Sequence, residues 1–92
     1  MAKHLRITGL VQGVGYRASF EDQARALRLS GWVRNRADGS VEAVVRGDTE
    51  SLETIVAWSK RGPRAARVSQ VIVTDMDDAS VEAGRFEVLP TQ

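Results

Sequence analysis

The dipeptide Asp38-Gly39 constrains the fold of this 92-residue chain more than any other feature. It lies between two short segments in which polar and apolar residues alternate, residues 32–36 and 41–46. An Asp-Gly pair between two such segments is typical of a β-hairpin with a type I′ turn, in which both central residues have a positive φ angle. The two segments are therefore predicted to be antiparallel neighbours in a sheet.

Two segments with helical periodicity flank this hairpin. In the first, residues 16–29, apolar residues recur every three or four positions, and Ser30-Gly31 is expected to end the helix. The second helix is predicted to begin after Asp48, which is a typical N-cap, and to end at Gly62-Pro63.

Further strands are predicted on either side of the helices, at residues 3–10, 68–73 and 86–88. The alternation in residues 68–73 is imperfect, which indicates a β-bulge. The resulting order, β-α-β-β-α-β with a small terminal strand, is typical of the ferredoxin-like split β-α-β sandwich, an α+β fold with two helices on one face of an antiparallel sheet. No segment resembles a linker, so residues 1–92 are predicted to form a single domain.

Composition excludes several classes of function. The net charge of +1 argues against a nucleic-acid-binding protein. No apolar run approaches the length of about 18 residues that a membrane span needs, and the N-terminus lacks a signal peptide, so a cytoplasmic location is expected. Without cysteine, and with His4 as the only histidine, expected on the solvated face of a strand, neither a thiolate nor a histidine relay is expected.

The glycine-rich residues 8–17 are the strongest candidate for a functional site. Gly13 and Gly15 come just before the predicted start of the first helix, and Arg17 lies in its first turn. Backbone N–H groups in such a turn point outward, and the helix dipole adds positive potential. An arginine adds a two-pronged donor that matches a phosphate. The sequence therefore predicts a binding site for an oxyanion.

Two common phosphate-binding motifs do not explain this segment. A Walker A loop needs a Gly-Lys-Ser/Thr triplet, which is absent. Residues 13–18 match the dinucleotide-binding pattern G-x-G-x-x-G/A, but that pattern needs a doubly wound parallel sheet. Because the next strand turns straight back through Asp38-Gly39, a dinucleotide-binding domain is excluded.

Asn35 is the second candidate for a functional residue. In a split β-α-β fold, the first two strands are parallel with another strand between them, so the glycine-rich loop and Asn35 lie at one edge of the sheet. Asn35 is expected on the face that packs against the helices, where an amide should have a hydrogen-bond partner. Its carbonyl can accept from a water molecule and its NH2 can donate. Phosphoryl transfer needs mainly such positioning and charge stabilisation.

Three segments resemble the signature blocks of the acylphosphatase family: GLVQGVGYR at residues 9–17, GWVRN at 31–35 and DGSVE at 38–42. The likeness covers nearly the whole chain, although Gly15-Tyr16 differs from members with two bulky aromatics there. The resemblance implies hydrolysis of the carboxyl–phosphate bond of small acyl phosphates, with no cofactor and no metal. It also implies that Asn35 orients the attacking water and that Arg17 binds the phosphate together with loop backbone amides, those of Gln12, Gly13, Val14, Gly15, Tyr16 and Arg17.

Two other functions stay open at this point. Ferredoxin-like sheets also bind single-stranded RNA on exposed aromatic residues, but the open face here has a single aromatic, Trp32, and the chain is nearly neutral. The chain could also be the phosphate-handling domain of a larger carbamoyl-transfer enzyme. Because it begins at Met1 and has no linker after its last strand, a free-standing enzyme is favoured. For a compact chain of this size, a monomer is expected.

Overall fold

The computed structural model describes residues Met1–Gln92 as two helices packed on one face of a five-stranded sheet. In chain order, the elements are β1 (Ala2–Leu10), α1 (Tyr16–Ala26), β2 (Ser30–Asn35), β3 (Val41–Arg46), α2 (Thr49–Arg61), β4 (Arg67–Met76), a 3-10 turn (Asp78–Ser80) and β5 (Phe86–Val88). Neither helix is long and apolar enough to cross a membrane.

The sheet has the strand order β4-β1-β3-β2-β5. Strand β3 pairs antiparallel with both β1 and β2, so β1 and β2 run in the same direction on either side of it. This confirms the predicted split β-α-β fold. Strand β5 pairs parallel with β2, which makes the sheet mixed rather than antiparallel throughout. Strand β4 is antiparallel to β1 and therefore runs opposite to β2. The chain reverses direction once between β4 and β5, so β5 runs in the same direction as β2.

Side chains from the two layers form one apolar core. The stripes predicted on the helices are buried, with Phe20 and Ala24 on α1, and Leu52 and Ile55 on α2. They pack against residues from the helix-facing side of the sheet, among them Leu5, Ile7, Val33, Val41 and Val45. Full burial of one such aliphatic side chain stabilises the fold by about 1.5–3 kcal/mol.

Helix α1 ends earlier than predicted, at Ala26 rather than Leu29. Arg28 adopts the left-handed conformation, with a φ angle of 57°. The N–H of Leu29 donates to the carbonyl of Ala24 (2.9 Å), and the N–H of Arg28 donates to that of Arg25 (3.0 Å), which closes a Schellman motif. Ser30 and Gly31, which were predicted to end the helix, belong to β2 instead. The left-handed position after the helix, where glycine is usual, is occupied by Arg28.

The hairpin between β2 and β3 is present, but its turn is not type I′. The N–H of Arg36 donates to the carbonyl of Ser40 (2.8 Å), so the loop holds three residues rather than two. Only Gly39 has a positive φ angle, 93°, while Asp38 does not. The Asp38 carboxylate instead accepts from the N–H (2.9 Å) and the hydroxyl (2.6 Å) of Ser40. These two bonds stabilise the longer loop.

A β-bulge interrupts the pairing of β4 with β1 near the end of β1. Thr8 lies opposite Gln70 but Gly9 lies opposite Val68, so Ser69 is the extra residue. This confirms the predicted bulge. Gly9 has a φ angle of 123°, and a Cβ atom there would lie 2.2 Å from the carbonyl oxygen of Arg67. Only glycine allows this close approach of β1 to β4.

Helix α2 begins and ends where the sequence predicts. The Asp48 carboxylate accepts from the N–H of Ser51 (2.7 Å), as an N-cap does. Gly62 follows the last turn with a φ angle of 68°. The tyrosine ring at the start of α1, Tyr16, packs beside this glycine, and its hydroxyl donates to the carbonyl of Ser59 (2.8 Å). The start of α1 is thus tied to the end of α2.

Candidate active site

The loop between β1 and α1 has free backbone N–H groups. None of residues 12–15 donates a backbone hydrogen bond within the protein, and the first intrahelical bond joins the N–H of Ser19 to the carbonyl of Gly15 (3.1 Å). The N–H groups of the first helical turn, residues 16–18, therefore have no intrahelical acceptor. Gly15, at the N-cap position, has no side chain that could cap them. Free amides and the positive end of the dipole together favour an anion.

Two glycines give this loop its curvature. Gly13 and Gly15 have φ angles of 74° and 80°, in the left-handed region. A Cβ atom at either position would meet nothing within 4 Å. Glycine is therefore favoured here by backbone conformation rather than by lack of space. Left-handed residues within such a turn bring successive N–H groups to one concave side, the geometry that binds phosphate in other proteins.

Arg17 lines a cavity of about 400 Å³ at the start of α1. Its guanidinium has neither a salt bridge nor a hydrogen bond within the protein. Arg25 on the same helix, by contrast, pairs with Glu21 (2.9 Å). The donors of Arg17 therefore remain available to a ligand in the cavity.

Asn35 lies at the end of β2 and lines the same cavity. The residue is 9% exposed, and it shares the helix-facing side of the sheet with Val33. Its Oδ1 atom is buried and has no hydrogen-bond partner within the protein. A buried acceptor without a donor costs about 1–3 kcal/mol, so such groups are rare. The carbonyl of this side chain can accept from a molecule in the cavity.

The backbone at Asn35 is held from both sides. Asn35 pairs with Val41 of β3, and its carbonyl accepts from the N–H of Gln92 (3.1 Å). On the same side, the N–H of Leu89 donates to the carbonyl of Val33 (2.9 Å). The chain after β5 thus continues along the edge of β2. This support could not be predicted, because it depends on the parallel pairing of β5 with β2.

Four of the six loop residues predicted to bind phosphate line the cavity, and two do not. Gly13, Gly15, Tyr16 and Arg17 line the cavity, but Gln12 and Val14 are not among its lining residues. The side chain of Val14 packs against the core. The ring of Tyr16 is buried as well, and this burial raises the pKa of its hydroxyl.

Other residues line the cavity beyond those predicted, namely Val11, Ala18, Glu21 and Val88. Glu21 lies one helical turn after Arg17, so helical spacing could have identified it. Val88 could not be found in this way, because its place beside β2 follows from the parallel pairing of β5.

On the opposite face of the sheet, His4 belongs to a network of hydrogen bonds and ion pairs centred on Glu42. The Nε2 atom of His4 lies 2.7 Å from Oε2 of Glu42, and the Glu42 carboxylate also accepts from Arg34 (2.9 Å). Partial burial alone would raise the pKa of Glu42, but the hydrogen bonds from His4 and Arg34 outweigh it and hold this pKa below its usual value. The Arg34 guanidinium also lies 4.7 Å above the Trp32 ring. The one aromatic residue of this face is thus covered by an arginine.

Comparison with known proteins identifies close relatives. The family model described as Acylphosphatase matches residues 3–88. The acylphosphatase of Azoarcus sp. (strain BH72) is 52% identical over 90 residues, which cover 98% of this chain and 90% of the relative. The structure of an acylphosphatase from Coxiella burnetii has a TM-score of 0.87 at 36% identity, over 96% of this chain and 90% of that one. The acylphosphatase from Bacillus subtilis has a TM-score of 0.85 at 31% identity, over 97% and 99%.

Proposed function

This chain belongs to the acylphosphatase family, and on that premise we propose that Arg17, Asn35 and the amides of the loop before α1 carry out its reaction. The enzyme is an acylphosphatase, a hydrolase of small acyl phosphates. The reaction forms a bond between the water oxygen and phosphorus and breaks the bond between phosphorus and the acyl oxygen. The products are a carboxylate and inorganic phosphate.

In our proposal, the phosphoryl group binds at the N-terminus of α1. The backbone amides of residues 12–17 and the Arg17 guanidinium donate to its oxygens. All of these donors are free of other partners within the protein. They are already oriented, so they stabilise the charge of the transition state without reorganisation.

The attacking water is positioned by Asn35. Its Oδ1 atom accepts from the water, and its NH2 group donates to an oxygen of the water or of the phosphoryl group. The leaving carboxylate is a weak base, so no general acid is needed, and the proton of the water passes to phosphate or to solvent. This proposal needs neither a cofactor nor a metal ion, because protein groups supply the positive charge.

One observation supports this proposal most strongly. The buried Oδ1 atom of Asn35 has no donor, and it belongs to a cavity that Arg17 also lines. Two polar side chains without partners in one cavity favour a ligand that satisfies both.

We further propose that residues 1–92 act as one domain and as a monomer in the cytoplasm, without nucleic acid. The net charge of +1 supports the last point. The apolar core also runs continuously through both layers, which supports a single domain.

Titration with inorganic phosphate tests the proposed site. We expect the backbone amide resonances of residues 12–18 and the side-chain resonances of Arg17 and Asn35 to shift together in heteronuclear NMR spectra. Shifts confined to the opposite face of the sheet, around His4 and Arg6, would contradict the proposal.

A further inference from the structure

We propose that the side chain of Gln12 is a positioning residue that fixes the phosphate-binding loop relative to Asn35. This inference rests on the function proposed above. The Nε2 atom of Gln12 donates to the carbonyl of Arg36 (2.8 Å) and to the carbonyl of Ser40 (2.8 Å). Both hydrogens of the amide are therefore used, and both acceptors belong to the hairpin that follows Asn35.

The two acceptors lie on the two arms of the hairpin, just beyond the last pair of β2 and β3. Arg36 directly follows Asn35, and Ser40 directly precedes Val41, the residue that pairs with Asn35 in β3. The Ser40 carbonyl also accepts from the N–H of Arg36 (2.8 Å), so it joins the two arms of the hairpin. Gln12 thus bonds to the hairpin directly beyond the pair of Asn35 and Val41, where β2 ends and β3 begins.

Few other bonds connect the loop to this hairpin. The pairing of β1 with β3 ends at Ile7 and Val41. Beyond that pair, the two bonds of Gln12 are the hydrogen bonds that join residues 11–15 to residues 36–40. Because the side-chain amide of Gln12 is bonded to the hairpin rather than directed into the cavity, this side chain acts on the reaction through the loop and Asn35.

The reaction depends on the distance that Gln12 fixes. The loop holds the phosphoryl group and Asn35 holds the water, so the distance from the water oxygen to phosphorus changes when the loop and Asn35 move relative to each other. A misplacement of about 1 Å lowers a rate by about a hundredfold. Binding of phosphate by the loop alone does not depend on this separation.

Kinetics of Gln12→Met test this inference against a structural role. We expect kcat to fall by about tenfold to a hundredfold, while the KM and the competitive inhibition constant of inorganic phosphate change by less than about threefold, since the loop amides and Arg17 remain. Gln70→Glu makes the same change as a second variant, Gln12→Glu, but on the exposed surface of β4. It serves as the control, and we expect it to have wild-type kinetics. Thermal unfolding of each variant verifies that it is folded.

Gln12→Glu provides a second readout. A carboxylate at this position faces two carbonyl oxygens, whereas a protonated carboxyl group donates one hydrogen bond. We therefore expect kcat of Gln12→Glu, relative to the wild type, to rise as the pH is lowered. The same ratio for Gln12→Met should not depend on pH.

Two results would overturn the inference. One is a wild-type kcat in folded Gln12→Met, and the other is a rise in the phosphate inhibition constant as large as the loss of kcat, which would mean that Gln12 only shapes the loop. If Asn35→Ala loses turnover while Gln12→Met does not, the proposed function stands and this inference fails. Turnover retained in Asn35→Ala would overturn both.

Discussion

Arg17 and Asn35 line the same cavity from two different elements, and each has a polar group without a partner in the protein. Arg17 comes from the first turn of α1 and Asn35 from the end of β2. The fold brings them together because β1 and β2 are parallel, so the loop after β1 and the end of β2 lie at one edge. The two groups are complementary, since one donates and the other accepts.

Replacement of Arg17 should impair both binding and catalysis. We expect Arg17→Ala to lower kcat/KM by about a hundredfold to a thousandfold, as removal of other preorganised donors does, and to raise the inhibition constant of phosphate. Arg17→Lys should recover part of the loss, because lysine keeps the charge but not the two-pronged geometry. Arg61→Ala, on the exposed side of α2, is the matched control. Equal kinetics for Arg17→Ala and Arg61→Ala would be incompatible with the proposed role.

Replacement of Asn35 should not destabilise the fold. Asn35→Ala removes a buried oxygen that has no donor, so we expect the free energy of unfolding to stay the same or to rise by up to about 1 kcal/mol. Val33→Ala, on the same face of β2 and fully buried, should lower it by about 1 kcal/mol or more. Urea unfolding measures both values. A comparable loss of stability in the two variants would argue against a functional origin of the unpaired oxygen.

The Asp38 carboxylate should make stability depend on pH in acid. Hydrogen bonds from the Ser40 hydroxyl and N–H, together with the charge of Arg6, lower the pKa of Asp38 to about 2. A lowered folded-state pKa contributes stability that is present above the unfolded-state pKa, about 3.9, and is lost as the pH falls towards the folded-state value. We expect Asp38→Asn to reduce the pH dependence of the urea midpoint between about pH 4 and pH 2. An unchanged slope in the variant would contradict this assignment.

The Tyr16 hydroxyl should stabilise the contact between the two helices. Tyr16→Phe removes its hydrogen bond to the Ser59 carbonyl, and we expect the free energy of unfolding to fall by about 1–2 kcal/mol. Because burial raises the pKa of Tyr16, the wild type should also lose stability as the pH rises above about 10, where the unfolded tyrosine ionises. This alkaline loss should be smaller in Tyr16→Phe. Denaturant unfolding of both proteins between pH 8 and 11 tests the expectation.

Arg28 should be a site where glycine stabilises the protein. Its φ angle of 57° is strained for a residue with a Cβ atom. We expect Arg28→Gly to raise the free energy of unfolding by about 0.5 kcal/mol, since relief of this strain exceeds the added entropy of the unfolded chain. Arg28→Ala keeps the strain and should show no gain. If the two variants have the same thermal midpoint, the left-handed residue carries little strain.

Much of this architecture follows from local sequence signals. Alternation, helix stripes and the caps at Asp48 and Gly62 each depend on a few neighbouring residues, so they predicted the order and topology of the elements. The predicted type I′ turn was wrong because the Asp38 carboxylate bonds to Ser40 and holds a longer loop. The predicted end of α1 was wrong because nothing in the local sequence indicates that Arg28 adopts the left-handed conformation.

The candidate site was predictable only in part. The glycines before α1 and the position of Arg17 are local features, and topology places Asn35 at the same edge of the sheet. The side-chain contacts of Gln12 and the place of Val88 in the cavity were not predictable, since they depend on distant segments. Gln12 bonds to the hairpin, and Val88 lies beside β2 through a parallel pairing.

The proposed role of Asn35 is tested most directly by the hydrolysis of benzoyl phosphate, followed by ultraviolet absorbance in EDTA, for the wild type and Asn35→Ala. We expect rapid turnover by the wild type and a loss of at least about a hundredfold in kcat for the variant. The competitive inhibition constant of phosphate should stay close to the wild-type value, because the water is held only for the reaction. Wild-type turnover by Asn35→Ala, a matching rise in the phosphate constant, or a strict requirement for a metal ion would contradict the mechanism.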